Sequence, residues 1–303
     1  MDGVLVVDKP AGPTSHDVVS RVRRALRTKR IGHTGTLDPL ATGVLPLVIG
    51  RATRLASLLS GADKEYDAGV RLGLSTETYD AADLVGPPPD PPPDIDFLRV
   101  DAALAEFRGT FDQAPPAYSA KKIDGVAAYT LARRRTPVQP RSVQVTVVHL
   151  ALHSYDRGLA RLRVRASAGF YVRSLAHDLG ERLGCGAHLE TLRRVRAGTF
   201  SEESATRLDA IEAEGAGAAR LIVPIEQLLT QVPAVVLNDR GARRAAHGNE
   251  LTPGDLTDPS AVSGGAEGGS APGRFRLMDA GGMLVGIAES RPGGLLHPVI
   301  VLV

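Results

Sequence analysis

The segment that most constrains the fold is GHTGTLDPLATG, residues 32–43. Its glycines and its proline interrupt any helical or alternating pattern, so we expect a loop. Asp38 stands near its centre, between Leu37 and Pro39. Glycine lets a backbone approach a ligand closely and proline stiffens a turn, so such a loop can hold one carboxylate rigidly. An Asp-Pro pair also starts ordinary turns, and the local pattern leaves both interpretations open.

Regular patterns flank this loop on both sides. GVLVVDKP predicts a short strand, and SHDVVSRVRRALRT predicts a helix with Ser15 as its N-cap. KEYDAGVRLG alternates, which predicts a strand with Tyr66 on its apolar face. Further helices are predicted at 98–108, at 125–135 and in YVRSLAHDLGERLG, and two strands in VQVTVVHLALHSYD and GLARLRVRASAG.

The composition changes towards the end of the chain. After residue 231 the pattern predicts several short strands and one short helix, which indicates a small β-rich domain over 232–303 and a catalytic domain over 1–231. The Gly/Ser-rich stretch 257–273 predicts a flexible loop. GPPPDPPPD, at 86–94, predicts an extended polyproline insertion.

Basic residues are unevenly distributed along a chain whose net charge is +2. Residues 1–60 carry nine Lys and Arg against four acids, and residues 161–200 carry eight Arg against three acids. Each stretch therefore has a net charge of +5. Such local excess suits a phosphate backbone, although a general preference for arginine in the composition explains it equally well.

The sequence lacks the motifs of the commonest cofactors. It has no G-x-x-x-x-G-K-[ST], no G-x-G-x-x-G after a strand and no H-E-x-x-H. Its single cysteine, Cys185, excludes an intramolecular disulfide and a cysteine-based zinc site. No apolar run approaches the roughly 18 residues of a membrane span, and the N-terminus does not resemble a signal peptide. We expect a cytoplasmic protein that needs no cofactor and no metal.

Five segments, in order along residues 4–200, resemble the TruB-type tRNA pseudouridine-55 synthases. GHTGTLDPLATGVLPL resembles their catalytic motif, and VDKPAGPTSHDVV their N-terminal K-P-x-G-x-[ST]-S segment. KEYDAGVRLGLSTETYDAADLVG resembles their K-x-Y segment, and APPAYSAKKIDGVAAYTLARR their P-P-x-[YF]-S-A-x-K segment. AGFYVRSLAHDLGERLGCGAHLETLRRVRAG is similar to their second basic motif. The tail resembles, more weakly, a small PUA-like RNA-binding domain.

The resemblance implies an isomerase that converts uridine to pseudouridine at position 55, in the T-loop of tRNA. The N1–C1′ bond breaks and a C5–C1′ bond forms, after the base has been flipped into a pocket. Asp38 is implied as the essential carboxylate, which either attacks C1′ or assists elimination to a glycal-like intermediate. A carboxylate that stays ionised in a dry pocket needs a nearby cation, and Arg173 matches the family's active-site arginine.

Five other positions match substrate-binding residues of the family. Tyr66 is implied to stack on the flipped uracil, and its hydroxyl to help move the C5 proton. His33 is implied to contact the tRNA loop and help displace the base. Asp80 matches a polar pocket position, Tyr171 a position near the pocket and Lys9 a position near the RNA backbone.

One further basic surface is predicted from the residues alone. Arg161, Arg163 and Arg165 alternate with apolar residues in GLARLRVRASAG, which predicts a strand with one basic face. We interpret that face as a phosphate-contacting surface.

The resemblance also implies a fold and a partner. The fold is α+β, with a mixed, largely antiparallel pseudouridine synthase-like sheet and flanking helices, followed by the small PUA-like domain. The partner is the T-stem-loop of tRNA, with no membrane and no obligate protein partner, and the protein is expected to be a monomer. Two alternatives remain open: an RNA-binding tRNA-folding chaperone, and a guide-dependent or ribosomal RNA pseudouridine synthase.

Overall fold

The computed structural model describes residues 1–84, 95–118, 122–123, 126–127, 141–261 and 273–303. The polyproline insertion at 86–94 lies outside the described residues, as do most of the predicted helix at 125–135 and most of the Gly/Ser-rich loop. At the start of that predicted helix, Val126–Ala127 forms a two-residue strand, β7, which pairs with β6 (Lys122–Ile123).

A mixed sheet organises the larger part of the described chain. From one edge to the other, its main path is β12 (Thr206–Arg207), β1 (Gly3–Lys9), β3 (Thr42–Ile49), β10 (Ala187–Ala197), β4 (Lys64–Leu72), β9 (Leu159–Ala166), β8 (Val143–Asp156) and β5 (Gly109–Gln113). The short strands β2 (Ile31–His33), β11 (Phe200–Ser201) and β13 (Val223–Pro224) pair with β3, β10 and β1. Only β1–β12 and β3–β10 are parallel among the described pairs of this sheet. The predicted α+β class with a largely antiparallel sheet is therefore confirmed.

Four of the described helices pack on one face of this sheet. The described helices are α1 (Ser15–Ala25), α2 (Ala56–Ser60), α3 (Phe97–Leu104), α4 (Val172–Leu183), α5 (Leu208–Glu214) and α6 (Asp239–Ala246). Apolar side chains of α1, α3, α4 and α5 join those of the central strands in one buried core. The predicted alternation of β4 is present, with Tyr66, Ala68 and Leu72 on the side of this core.

The beginning of α1 differs from the prediction. The N-cap is Thr14, whose side chain accepts from the Asp17 amide, while the Asp17 carboxylate accepts from the Thr14 amide. Ser15 is instead the first helical residue and is buried. The reciprocal Thr14–Asp17 capping box satisfies the free amides at this helix end, which leaves the Ser15 hydroxyl free for another contact.

The opposite face of β4 and β9 carries charges of both signs. Arg163 pairs with Asp67 at 2.6 Å and with Glu65 at 3.3 Å, and Arg165 pairs with Asp63 at 3.3 Å. Acids that alternate along the neighbouring strand thus pair with both arginines, and the phosphate-contacting face stays a prediction.

The last part of the chain forms a second sheet. It consists of β14 (Ala234–Val236), β15 (Arg274–Met278), β16 (Leu284–Arg291) and β17 (Leu295–Val301), in that order. It has an apolar cluster of its own. A further cluster is shared with the main sheet, in which Leu284 and Ile287 pack with Val4 and Val48. Within the described ranges, no helix is long and apolar enough to cross a membrane.

Candidate active site

The loop that carries Asp38 is fixed by hydrogen bonds from the segment that precedes α1. The buried Ser15 hydroxyl donates to the Leu37 carbonyl at 2.9 Å and accepts from the Leu37 amide at 2.8 Å. The Gly12 amide donates to the Pro39 carbonyl at 2.8 Å. The residues on both sides of Asp38 are thus bonded to one neighbouring segment, which restricts the backbone that carries the carboxylate.

Lys9 supports the same loop from the end of β1. Its side chain is 0% exposed, and its ammonium donates to the carbonyls of Ala41 at 2.6 Å and Pro39 at 3.4 Å. Burial lowers the pKa of Lys9 to about 8, against the opposing effect of Asp38. The expected contact with an RNA backbone does not suit this position, because the ammonium is enclosed by protein carbonyls.

Arg194 is the functional residue that sequence reasoning missed. It is 1% exposed, and its guanidinium donates to the carbonyls of Val44 at 2.7 Å and Gly35 at 3.1 Å, on either side of Asp38 in the chain. The guanidinium also interacts with the Tyr66 side chain, which lies opposite Arg194 in the β4–β10 pairing. The sequence could have shown that Arg194 is buried, because residues two apart in a strand lie on the same face and Leu192 lies on the core side of β10.

The end of the loop requires glycine at position 43. Gly43 has φ of +97°, a conformation that side-chain-bearing residues rarely adopt. A Cβ atom there would lie 2.2 Å from the Arg194 carbonyl oxygen. Glycine at position 43 therefore lets the end of the loop lie directly against the backbone of Arg194 in β10.

Arg173, on the first turn of α4, is brought directly against Asp38. Its Nε lies 2.9 Å from Oδ2 of Asp38, and its Nη1 lies 3.6 Å from Oδ2 of Asp80. Nη1 also donates to the Thr78 carbonyl at 3.0 Å, and Nη2 to the Tyr118 carbonyl at 2.9 Å. The guanidinium is thus held by several acceptors, and its position is set by protein contacts as well as by Asp38.

The two members of this ion pair differ in their exposure. The Asp38 side chain is 35% exposed, whereas the Arg173 side chain is 6% exposed. The guanidinium therefore lies behind the carboxylate and leaves the carboxylate accessible. Burial raises the pKa of Asp38 despite Arg173 and Lys9, which favour its ionised form, and Asp80 raises it further.

A cavity of about 260 Å³ opens in front of the Asp38 carboxylate. Its wall combines this ion pair with Tyr66 and with apolar side chains that include Phe170 and Leu192. Small-molecule pockets begin at roughly 300 Å³, so this cavity suits a single flipped nucleoside and excludes a paired helix. A carboxylate and an aromatic ring on one wall are the groups that a base and its sugar would meet.

The remaining predicted residues lie around this centre. Asp80 is buried, caps the turn that follows it and faces Arg173, while the Tyr171 backbone is held by the Gln113 side chain at the cavity wall. His33 ends β2, and its Nδ1 accepts from the Gly35 amide at 3.4 Å. Burial lowers the pKa of His33, which favours a neutral ring. Asp38, Arg173, Tyr66 and Tyr171 share the cavity, and Lys9 and His33 lie behind its loop.

Two protein-family models match consecutive parts of this chain. Residues 23–172 match the N-terminal domain of the TruB family pseudouridylate synthases, and residues 173–230 match the C-terminal domain of tRNA pseudouridylate synthase B. The chain is 43% identical over 307 residues to a tRNA pseudouridine synthase B of Solibacter usitatus, with 100% of both chains covered. It is 44% identical to one from Burkholderia mallei, covering 100% of this chain and 97% of the relative.

The chain belongs to the TruB family. A solved structure described as an H/ACA RNP bound to a substrate RNA containing 2′-deoxyuridine superposes with a TM-score of 0.72 at 26% identity. That match covers 99% of this chain and 85% of the other chain. The boundary between the two TruB models falls at the start of α4, so the Asp38–Arg173 pair joins the two matched segments.

Proposed function

We propose that this chain isomerises uridine to pseudouridine in the T-loop of tRNA, at position 55. The observation that carries the proposal is the accessible Asp38 carboxylate, backed by Arg173, on the wall of a cavity that suits one nucleoside. Membership of the TruB family supports the reaction and the tRNA substrate.

The geometry favours a carboxylate that acts on the sugar. Asp38 is presented to the cavity while the buried guanidinium behind it favours the ionised form. During the reaction the N1–C1′ bond breaks, the uracil turns and C5 bonds to C1′; the C5 proton then leaves and N1 gains a proton, so that the product is an isomer of uridine. Asp38 either attacks C1′ or assists loss of the C2′ proton to a glycal, and both routes need the same accessible carboxylate.

Tyr66 is proposed to serve the base. Its ring lies on the cavity wall, where it offers a face to a flipped uracil, and the Arg194 guanidinium interacts with its side chain. The Tyr66 hydroxyl is proposed to help transfer the C5 proton. His33, Asp80 and Tyr171 are proposed to assist binding of the tRNA loop and the flipped nucleotide.

The organisation of the chain is also a proposal. Residues 1–231 would form the catalytic domain and residues 232–303 a PUA-like RNA-binding domain, in line with the second sheet and its separate apolar cluster. We further propose a cytoplasmic monomer that acts on tRNA without an obligate protein partner.

A tRNA transcript with uridine at position 55 tests the activity. The purified chain should form one pseudouridine per transcript without added cofactor, and a transcript with cytidine at that position should remain unmodified. The Asp38→Asn variant should form no product. Modification by the variant at the wild-type rate would show that Asp38 is not the catalyst.

The likeness to an H/ACA structure makes a guide-dependent enzyme the specific alternative. Activity of the isolated chain on an unguided transcript would exclude any requirement for guide RNA or accessory proteins. Faster modification of a ribosomal RNA fragment than of the tRNA would instead favour a ribosomal substrate. Binding of tRNA without any isomerisation would favour the chaperone. A separate transcript with 5-fluorouridine at the target would show, by the attachment atom of any adduct, which route Asp38 follows.

A further inference from the structure

Tyr79 has an unusual backbone conformation next to the active site. Its φ is +63°, in the left-handed region that residues with a Cβ atom rarely adopt. Its amide donates to the Thr76 carbonyl at 3.2 Å, and its carbonyl accepts from the Leu189 amide of β10 at 2.9 Å. Such strain persists only where surrounding contacts enforce it, and it clusters at functional sites.

The two residues beside Tyr79 are both acceptors for Arg173. The Thr78 carbonyl accepts from Nη1 at 3.0 Å, and Oδ2 of Asp80 lies 3.6 Å from the same nitrogen. The Thr78 hydroxyl also donates to Oδ1 of Asp80 at 2.8 Å. The left-handed residue between them therefore turns the chain so that a carbonyl and a carboxylate converge on one guanidinium.

The Tyr79 ring is itself fixed by a residue of α4. It stacks on the His177 ring with centroids 3.9 Å apart and planes inclined by 6°. His177 follows Arg173 by four residues on this helix, so both side chains lie on one helical face. The helix thus holds the segment 78–80 at two points, by the guanidinium and by the stacked ring.

Stacking on Tyr79 contributes to holding the His177 ring. Its buried Nδ1 has no hydrogen-bond partner among the described residues. Burial raises the pKa of Tyr79, and Asp178 and Glu181 add to this effect, so the phenol stays protonated. Phenylalanine should therefore replace Tyr79 in the stack.

We propose that Tyr79 and His177 are positioning residues for the Asp38–Arg173 pair. Neither side chain lies on the cavity wall as described. The stack fixes the segment 78–80, this segment orients the Arg173 guanidinium, and the guanidinium orients the Asp38 carboxylate. Small displacements of catalytic groups lower kcat strongly, whereas neither ring lines the cavity that the nucleoside would enter. This proposal rests on the proposed isomerase function.

Single variants separate the stack from the backbone conformation. Tyr79→Ala and His177→Ala remove the stack, and we expect kcat on the tRNA transcript to fall about tenfold or more while KM changes less than about twofold. Tyr79→Phe and His177→Phe keep two stacked rings and should restore most of kcat. Tyr79→Gly removes the ring and also the strain, so it should be as slow as Tyr79→Ala if the stack is what matters.

A pH profile distinguishes positioning from general stability. Arg173 and Lys9 favour ionised Asp38, and Asp80 opposes it. A looser ion pair should therefore move the acidic limb of kcat to higher pH in both alanine variants. Phe111→Ala is the matched control, because Phe111 packs edge-to-face on Phe107 (centroids 6.2 Å apart) and does not line the cavity. It should lower Tm without moving that limb.

The outcomes are distinct. A wild-type enzyme that is inactive on the transcript would overturn the proposed function. An active wild type with alanine variants of unchanged kcat, or with an unmoved acidic limb, would overturn the positioning role alone. A rise in KM at constant kcat would overturn it as well, since it would show that the rings bind RNA. Loss of kcat with rescue by phenylalanine and a displaced limb would support it.

Discussion

Nε of Arg173 lies 2.9 Å from Oδ2 of Asp38, while Nη1 and Nη2 of the same guanidinium contact the carbonyls of Thr78 and Tyr118. Nη1 and Nη2 therefore each donate to a carbonyl, while Nε makes the ion pair with the carboxylate. The planar shape of the guanidinium makes this possible, because its donors point in fixed and divergent directions. The orientation of the Asp38 carboxylate is thus tied to two backbone segments distant in sequence.

Arg173→Lys should test this dependence. A lysine ammonium is a single point charge and cannot reach all these acceptors from one position, so we expect kcat to fall about 100-fold. The dissociation constant for tRNA should change little, since the guanidinium is buried. Arg182→Lys is the matched control: it lies on the same helix and pairs with Glu106 in an exposed position. An equal loss of kcat in both variants would contradict the specific role of Arg173.

Asp38→Asn should abolish pseudouridine formation without lowering Tm. The raised pKa of Asp38 means that the folded protein holds this proton more tightly than the unfolded chain. The ionised carboxylate therefore lowers the free energy of unfolding at neutral pH, and this effect disappears as the pH falls through the raised pKa. Asparagine removes that charge, and the Arg173 guanidinium still pairs with Asp80 and donates to the carbonyls of Thr78 and Tyr118. A marked fall in Tm by differential scanning calorimetry would show that the ion pair outweighs the burial of charge.

The pH dependence of kcat should report Asp38 directly. Its pKa lies above the ordinary 3.8, so the acidic limb should lie above that value. Two variants should move the limb in opposite directions. Lys9→Met removes a cation that favours the carboxylate and should raise the midpoint, while Asp80→Asn removes an anion and should lower it. Single-turnover rates on the tRNA transcript measure both, and movement in the same direction would contradict this electrostatic account.

Ser15→Ala should show whether the hydrogen bonds between Ser15 and Leu37 support the Asp38 loop, separately from the capping of α1. It leaves the amide and carbonyl of Leu37 without their buried partner, which should lower the free energy of unfolding by about 1–3 kcal/mol. We expect kcat to fall too, because Leu37 precedes Asp38. Thr14→Ala is the control on the same helix end: loss of the cap should destabilise by about 1 kcal/mol with kcat preserved. Urea unfolding and single-turnover rates compare the two, and equal kcat in both variants would argue against a role for Ser15 in the loop.

How far the sequence predicts this site depends on whether a contact is local. Alternation within β4 predicted the inward side of Tyr66, because strand parity is a property of neighbouring residues. The pairing of Arg173 with Asp38 came only from resemblance, since the residues are far apart along the chain. Ser15 was predicted to be the N-cap because serine favours caps, but the adjacent Thr14 has an acid three residues later and forms the box instead.

Charged residues were the least predictable. Lys9 and Arg163 were both expected to meet phosphate, and the structure gives them protein partners. Lys9 is enclosed because the loop returns over the end of β1, and Arg163 is neutralised because β4 lies beside β9 with acids at the facing positions. Neither relationship can be read from the segment that contains the residue.

Arg194→Met should show that this buried cation couples the Asp38 loop to Tyr66. Methionine fills similar space but cannot donate to the carbonyls of Gly35 and Val44, and it carries no charge to interact with the Tyr66 side chain. We expect kcat to fall about tenfold or more. Tyr66→Phe removes the hydroxyl alone, so in the double variant the two losses should be less than additive.

The neighbouring residue supplies the control for this cycle. Arg193 pairs with Asp8 and Glu202, each at 3.0 Å, on the other side of β10, so Arg193→Met should lower Tm but leave kcat nearly unchanged and combine additively with Tyr66→Phe. Single-turnover rates of all five variants on one tRNA transcript give both coupling energies. Additive losses for Arg194→Met and Tyr66→Phe would mean that the guanidinium supports the loop only, and that the orientation of the Tyr66 hydroxyl does not depend on it.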